Sequence, residues 1–322
     1  MKRQLIFLLA FQLLQCFIFS LVKGQQPYFS HLTVRDGLPG QTVYEVRQDR
    51  AGFIWMATEN GLFRYDGHHS RTWTQKDGLP DNEVLSLMED DQGRIWVATS
   101  RGCVFLKDGV INGRKSAPWI PKLAGLPLSL VQLDNGKVCI SSRYGVLSFD
   151  EKEVDTLLWG DNSGDYRFVY DRGELPSLPI SFWGDTFGNT VESLQGPKGR
   201  TSLPQCWDKM VAGSFGGKAR EKDMKRLVQD SAYLDDIHNR LQTYCGGCDI
   251  LKLYQEADST LWAATSGNGV LIYNEKNGEI LQILNQATIH GISTDLGGNK
   301  WIYSMNEGVY ILPQGHLEVL SY

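Results

Sequence analysis

Apolar and polar residues alternate at Val43-Tyr44-Glu45-Val46, the pattern of a strand with one buried face. Asp49 to Gly52 follows as a turn, since Asp can bond its own backbone and Gly supplies a positive φ. Phe53-Ile54-Trp55-Met56-Ala57 is a short apolar run, predicting a strand buried on both faces. After the turn Glu59-Asn60-Gly61, Leu62-Phe63-Arg64-Tyr65 predicts a third strand, closed by Asp66-Gly67. Ser70 to Gln75 is more polar and suits an outer edge. The pattern predicts a four-stranded meander.

The meander returns. Trp55 and Trp96 stand 41 residues apart, and so do Asp36-Gly37-Leu38-Pro39 and Asp77-Gly78-Leu79-Pro80. A third unit keeps Gly125-Leu126-Pro127, the turn Asp134-Asn135-Gly136 and Gly145-Val146-Leu147, with Val138-Cys139-Ile140 in place of the tryptophan strand. A fourth, around Leu175-Pro176 and Val191, is weaker. Two clear units close the chain, around Trp262 and Trp301. Four strands in about 40 to 45 residues is the size of one β-propeller blade. The fold class predicted is all-β, a β-propeller of six or seven four-stranded blades. A large ring at the Trp55 and Trp96 positions would fill the gap between neighbouring blades.

The interval from Val191 to Trp262 is 71 residues, longer than one unit. Within it, Met224, Leu227, Val228, Leu234, Ile237, Leu241 and Tyr244 fall near helical spacing. This predicts a helical insertion at about 197–247, inserted into a blade or replacing one. His31-Leu32-Thr33-Val34 reads as an outer strand with no blade before it, of the kind that in propellers usually completes the last blade and closes the ring. His316 to Tyr322 already reads as the outer strand of the last unit, so one strand is left over. The simplest account is a chain that once continued into another blade.

Composition adds an address. Residues 1–24 predict a signal peptide: Lys2-Arg3, then a mostly apolar run from Leu5 to Leu21, then Val22 and Gly24 before a cut at Gln25. An uncleaved anchor is the alternative. The body, residues 25–322, is predicted to be a periplasmic or extracellular propeller domain. The segment removed carries three of the 32 Lys+Arg and no acidic residue, which leaves 29 against 37 Asp+Glu, a formal charge of −8. That excludes nucleic acid as the expected partner.

The units centred on Asp36-Gly37-Leu38-Pro39, Gly52-Phe53-Ile54-Trp55, Gly61-Leu62 and Tyr65-Asp66-Gly67 resemble the two-component regulator propeller repeat, common in exported sensor regions of Bacteroidetes. The resemblance fades between Ser148 and Cys248. It implies a seven-bladed sensor of extracellular ligands, often glycan fragments, normally followed by a membrane helix and a histidine kinase. This chain carries no kinase motif, so only the sensor role carries over, to a member expected to be truncated. The partner implied is a small molecule or oligosaccharide. A membrane would be met only through an uncleaved N-terminal segment or a missing C-terminal part, and a dimer stays open.

Candidate chemistry is sparse. Cys245-Gly246-Gly247-Cys248 could be redox-active or half a zinc site. An exported protein favours a disulfide among Cys206, Cys245 and Cys248. His68-His69 reads as a solvated loop pair and His238 as a helix-surface residue. Cys103 and Cys139 read as buried small hydrophobes, and Trp73, Trp119, Trp159 and Trp207 fall outside the repeat slot, where they could stack on a ligand. No catalytic constellation, metal site or cofactor motif is predicted. Ligand binding is expected where loops of several blades converge at one end of the channel. The turns at Glu59-Asn60-Gly61, Ser100-Arg101-Gly102, Arg143-Tyr144-Gly145, Ser266 to Gly269 and Asn306-Glu307-Gly308 are equivalent, and Arg101, Arg143 and Tyr144 are the contacts chosen from them. A free-standing secreted enzyme of lyase type and a protein-interaction scaffold are the alternatives.

Overall fold

A computed structural model describes residues 28–122, 127–132, 136–142, 145–160, 166–167, 169–170, 173–174, 231–255 and 260–315. The chain starts with a short strand β1 (Ser30–Leu32) and then builds antiparallel sheets in sequence order. The first sheet is β2 (Val43–Gln48), β3 (Ile54–Thr58), β4 (Gly61–Tyr65) and β5 (Ser70–Trp73). The second is β6 (Val84–Glu89), β7 (Ile95–Thr99), β8 (Gly102–Lys107) and β9 (Val110–Asn112). The third holds β10 (Pro127–Gln132), β11 (Val138–Ser142), β12 (Gly145–Phe149), β13 (Val154–Gly160) and a short β14 (Tyr166–Arg167). A two-stranded ribbon follows, β15 (Val169–Tyr170) with β16 (Gly173–Glu174).

After the helix α1 (Ser231–Tyr244) come β17 (Ile250–Gln255), β18 (Thr260–Thr265), β19 (Val270–Asn274) and β20 (Ile280–Ile283). The last sheet is β21 (Ile289–Thr294), β22 (Lys300–Ser304) and β23 (Val309–Leu312), with β1 as its fourth strand. The first strands of neighbouring sheets touch: β2 lies between β6 and β21, β10 beside β6, and β17 beside β21. Sheets that meet along their first strands are propeller blades around an axis. Five blades are described, and the fourth predicted unit lies outside the described residues.

The first strand closes the ring. The outer place in the last blade belongs to β1, with Ser30 opposite Ile311, His31 opposite Tyr310 and Leu32 opposite Val309. No outer strand is therefore left over among the described residues, and residues 316–322 lie outside them. His31 stacks on Tyr310 at 4.1 Å between ring centroids, and Leu32 packs with Trp301, Val43 and Phe63. The first strand thus joins the two ends of the chain across one blade.

The turns before Trp55, Trp96 and Trp301 are each built around a carboxylate. Asp49 Oδ1 accepts from the amide of Phe53 at 2.8 Å, and Oδ2 accepts from Trp55 Nε1 at 2.7 Å. Asp90 does the same for the Arg94 amide at 2.9 Å and Trp96 Nε1 at 2.8 Å, and Asp295 for the Asn299 amide and Trp301 Nε1, both at 2.9 Å. One aspartate therefore fixes both the hairpin and the indole. The fixed indoles lie between blades: Trp55 packs with Val84, Leu87 and Val97 of the second blade, and Trp96 with Leu130, Ile140 and Phe149 of the third.

A second link runs around the ring. The last residue of an inner strand accepts from the amide that follows the clamping aspartate of the blade before it. Gln48 takes Leu296 at 2.5 Å, Glu89 takes Arg50 at 2.9 Å, and Gln132 takes Asp91 at 2.9 Å.

The Asp-Gly-Leu-Pro motif has a local cause. Thr33 and Asp36 form a capping box around a 3-10 turn, and Gly37 ends it at φ 97°, a left-handed conformation that glycine adopts without strain. Leu38 is then driven into the core beside Trp301 and Val43. Thr74, Asp77, Gly78 and Leu79 repeat the device one blade on.

The predicted helix is present over Ser231–Tyr244, with residues 218–230 outside the described residues. Ile237 and Leu241 are buried against Leu261, Ala263 and Leu271 of the β17–β20 blade, whereas Tyr244 is exposed. Trp262 and Ile272, on the opposite face of that sheet, pack against the last blade. The helix thus covers the blade face that points away from its sheet neighbour.

Asp90 offers the sharpest test of the clamp. It is fully buried, and Arg94 Nε also donates to it at 2.5 Å. Burial alone would raise its pKa, but the Trp96, Arg94 amide and guanidinium donors outweigh this and lower it. Asp90→Ala is expected to cost about 3–5 kcal/mol in urea unfolding, because buried donors lose their acceptor. A carboxylate held below its ordinary range stabilises the fold above that range and loses this as pH falls through the lowered value. The mutant should therefore lack that acid-labile component.

Candidate functional site

All five described inner strands carry a register shift at their second residue: between Val43 and Glu45, Val84 and Ser86, Pro127 and Ser129, Ile250 and Lys252, and Ile289 and Gly291. A bulge breaks the ladder locally and re-aims side chains. The bulged residues include Tyr44 and His290, whose rings meet edge to face at 6.0 Å. The next position round the axis reads Glu45, Ser86, Ser129, Lys252 and Gly291.

Glu45 organises this level. Its Oε1 accepts from Arg47 Nε at 2.7 Å and lies 2.6 Å from Arg47 Nη2. Its Oε2 accepts from Ser86 Oγ at 2.8 Å and from the Leu87 amide at 3.0 Å. Ser86 Oγ in turn accepts from the amide of Leu130 at 3.2 Å. Polar side chains thus stitch three inner strands together along the axis. Arg47 keeps 37% of its side-chain surface accessible, although it stands among inner strands, so solvent reaches it.

On the adjoining blades stand His290 of β21 and Tyr303 of β22, with Lys252 and Tyr254 of β17 beside them. Gly291 is needed there: a Cβ would lie 2.3 Å from the Tyr303 hydroxyl and 2.6 Å from that of Tyr254. The two phenols therefore occupy the space that a side chain at 291 would fill. Lys252 Nζ lies 5.9 Å from the centre of the Tyr303 ring.

The electrostatics follow from enclosure. Burial lowers the Lys252 pKa to about 8, Glu45 opposing and Arg47 adding to the shift. Burial, with Lys252 nearby, lowers His290 to about 3, so its imidazole is neutral at physiological pH. Burial raises Tyr254 and Tyr303. Tyr44 is raised to about 12 by burial and by its hydrogen bond to Glu83, 2.9 Å long. The arrangement can donate hydrogen bonds and hold negative charge. Among the described residues no group of three His, Cys, Asp or Glu could hold a metal ion.

The predicted contact turns are flanked by equivalent strand pairs. Each stands where its inner strand begins, since Val43 pairs with Thr58, Val84 with Thr99, Pro127 with Ser142, Ile250 with Thr265 and Ile289 with Ser304. This is also the end at which Tyr44 and His290 sit. Arg101 is largely exposed and pairs with Asp81 at 2.9 Å, so its charge is matched within its own blade. Arg143 and Tyr144 lie outside the described residues, as does Cys206. Cys245 and Cys248 are joined by a disulfide at the C-terminal end of α1. Cys103 and Cys139 are buried and stand outside the disulfide.

Trp73 does not face a ligand. It is buried and stacked on Trp55 at 5.3 Å, and Trp119 packs beside Trp96 and Phe105. The side chains of Trp159 and Trp207 are outside the described residues. His69 is exposed in the loop after β4, where Asp66 accepts from the amides of His68 and His69. Sequence reasoning passed over the axial residues. The signal that could have found them is the third position of each inner strand, which breaks from apolar to Glu45, Ser86 and Lys252.

The model of the two component regulator propeller family matches residues 37–60 and 78–101, the lead-in and tryptophan hairpin of the first two blades. Among solved structures, a streptogramin B lyase is 12% identical with a TM-score of 0.51, over 89% of this chain and 98% of that one. YCF48 from Cyanidioschyzon merolae is 11% identical with a TM-score of 0.53, over 88% and 98%. These likenesses show the fold alone. The extracellular domain assigned to a hybrid two component system of B. thetaiotaomicron is 17% identical with a TM-score of 0.39, over 89% of this chain and 42% of that one. The chain spans 40 to 42% of the length of three such Bacteroides domains. No curated protein matches significantly.

Lys252 gives a prediction with a defined sign. Its folded pKa is about 8 against an ordinary 10.5, so between these values the unfolded chain binds more protons, and stability from this group rises with pH. Lys252→Met should therefore be more stable than the wild type at pH 7 in urea unfolding. The advantage should shrink from about pH 8 towards pH 10. A constant difference across that window would show that the ammonium is not enclosed.

Proposed function

We propose that the chain is the ligand-sensing propeller of a two-component signalling system, exported from the cytoplasm, because the two component regulator propeller model matches its first two blades. The observation that carries this reading is the family match to both of the first two blades. The apolar leader in residues 1–24 supports export, and among the described residues no helix is long and apolar enough to cross a membrane. The ligand is a small molecule or oligosaccharide, bound at the end of the axis where Tyr44 and His290 meet the turns after β3, β7 and β22. Signal output belongs to a kinase in a longer chain or in a partner.

Several blades contribute to this end, so a ligand there would touch more than one of them. Binding then changes how blades are held relative to each other, which is what a sensor must transmit.

The purified exported chain should gain thermal stability from oligosaccharides cut from the polysaccharides on which its host grows, and should return them unchanged. Saturation at a hundred times Kd corresponds to about 2.7 kcal/mol. Alanine at Arg101 and Arg143 should weaken that binding without lowering Tm; unchanged affinity removes those two residues from the site. Release of a cleaved or eliminated product would replace the sensor reading with an enzyme of lyase type.

A further inference from the structure

Among the described residues, the carboxylate of the axial level is already engaged. Both oxygens of Glu45 are in use, one facing Arg47 and the other Ser86 and the Leu87 amide. Ser86 is used as donor and as acceptor. At the same level the last blade supplies Gly291, which has no polar group to offer, and the phenols of Tyr254 and Tyr303 close in on it. Lys252 is left facing this wall. Among the described residues its ammonium has aromatic surface beside it, at 5.9 Å from the Tyr303 centroid, but makes no ion pair or hydrogen bond, and Glu45 acts on it only as a more distant charge.

An enclosed ammonium without an acceptor is costly. A purely structural axis would place an apolar residue there, or an acidic residue opposite. The neutral His290 and the hydroxyls of Tyr254 and Tyr303 are groups that can donate to an anion without adding charge. A single unmatched positive charge suits a monoanion, and a lysine is a compact point charge that accepts an anion from many directions.

We propose that the axis takes a ligand bearing one carboxylate, as an acidic sugar does, with Lys252 as the charge partner and Tyr254 and Tyr303 as hydroxyl donors beside it. This deepens the sensor reading and rests on it for the ligand's biological meaning. The binding chemistry is separate and can be tested separately.

The experiment is calorimetric titration of the full exported chain with glucuronate, glucose and glucose 6-sulfate. Glucuronate should bind and glucose should not. Lys252→Met should weaken glucuronate binding about tenfold or more, the loss expected for a hydrogen bond to a charged group. Tyr254→Phe and Tyr303→Phe keep the rings and should weaken it less. A chain that binds glucose as well as glucuronate, or a Lys252→Met variant that binds glucuronate as the wild type does, overturns the site. So does an absence of glucuronate binding at millimolar concentration. Tighter binding of glucose 6-sulfate than of glucuronate overturns the carboxylate and assigns the site to a sulfate ester. The thermal stability of Lys252→Met separates lost binding from lost folding. Stabilisation by neutral oligosaccharides in the same preparation would leave the sensor reading standing while the anion site falls.

Discussion

The ring depends on one contact repeated in three of the five described blades: a carboxylate that holds the indole of a tryptophan six residues later. Asp49, Asp90 and Asp295 each close a hairpin with one oxygen and fix an indole N–H with the other. A single sheet of this size cannot bury both faces. The fixed indole gives the sheet a large apolar surface at a set height, and the next blade packs on it. The amide just after the same aspartate is then taken by the inner strand of the next blade. One turn therefore sets strand geometry, packing between blades and the link around the ring.

Closure by β1 adds a constraint of a different kind. The last blade is completed by residues 30–32, so the chain segments nearest in space are among the most distant in sequence. Non-local pairing of this kind costs loop-closure entropy. The His31–Tyr310 stack and the burial of Leu32 offset part of it. Folding that last blade thus needs the first segment of the chain to be in place.

The axis is organised on the opposite principle. The clamps pair buried indole and amide donors with carboxylates, whereas the inner strands bring Lys252, Tyr254 and His290 together beside Tyr303 of β22, with no carboxylate among them. The bulge near the start of each described inner strand makes room for this by turning polar side chains off the regular ladder. Stability is concentrated between blades, and chemical imbalance at the centre, where loops and inner strands from several blades converge.

The sequence by itself determined the repeat, the four-strand unit, the interblade place of Trp55 and Trp96, and the helix before Tyr244. These are local: they follow from alternation, turn residues and a 41-residue period, all readable within one unit. The tertiary structure alone decided which strand completes the last blade, since His31–Thr33 and His316–Tyr322 carry the same edge-strand pattern and only pairing with β23 distinguishes them. It also decided that Trp73 is core and that Lys252 belongs to a polar axis. The axial set draws a few residues from each of several blades, between 45 and 303 in sequence, and their proximity exists only once the ring brings the blades side by side.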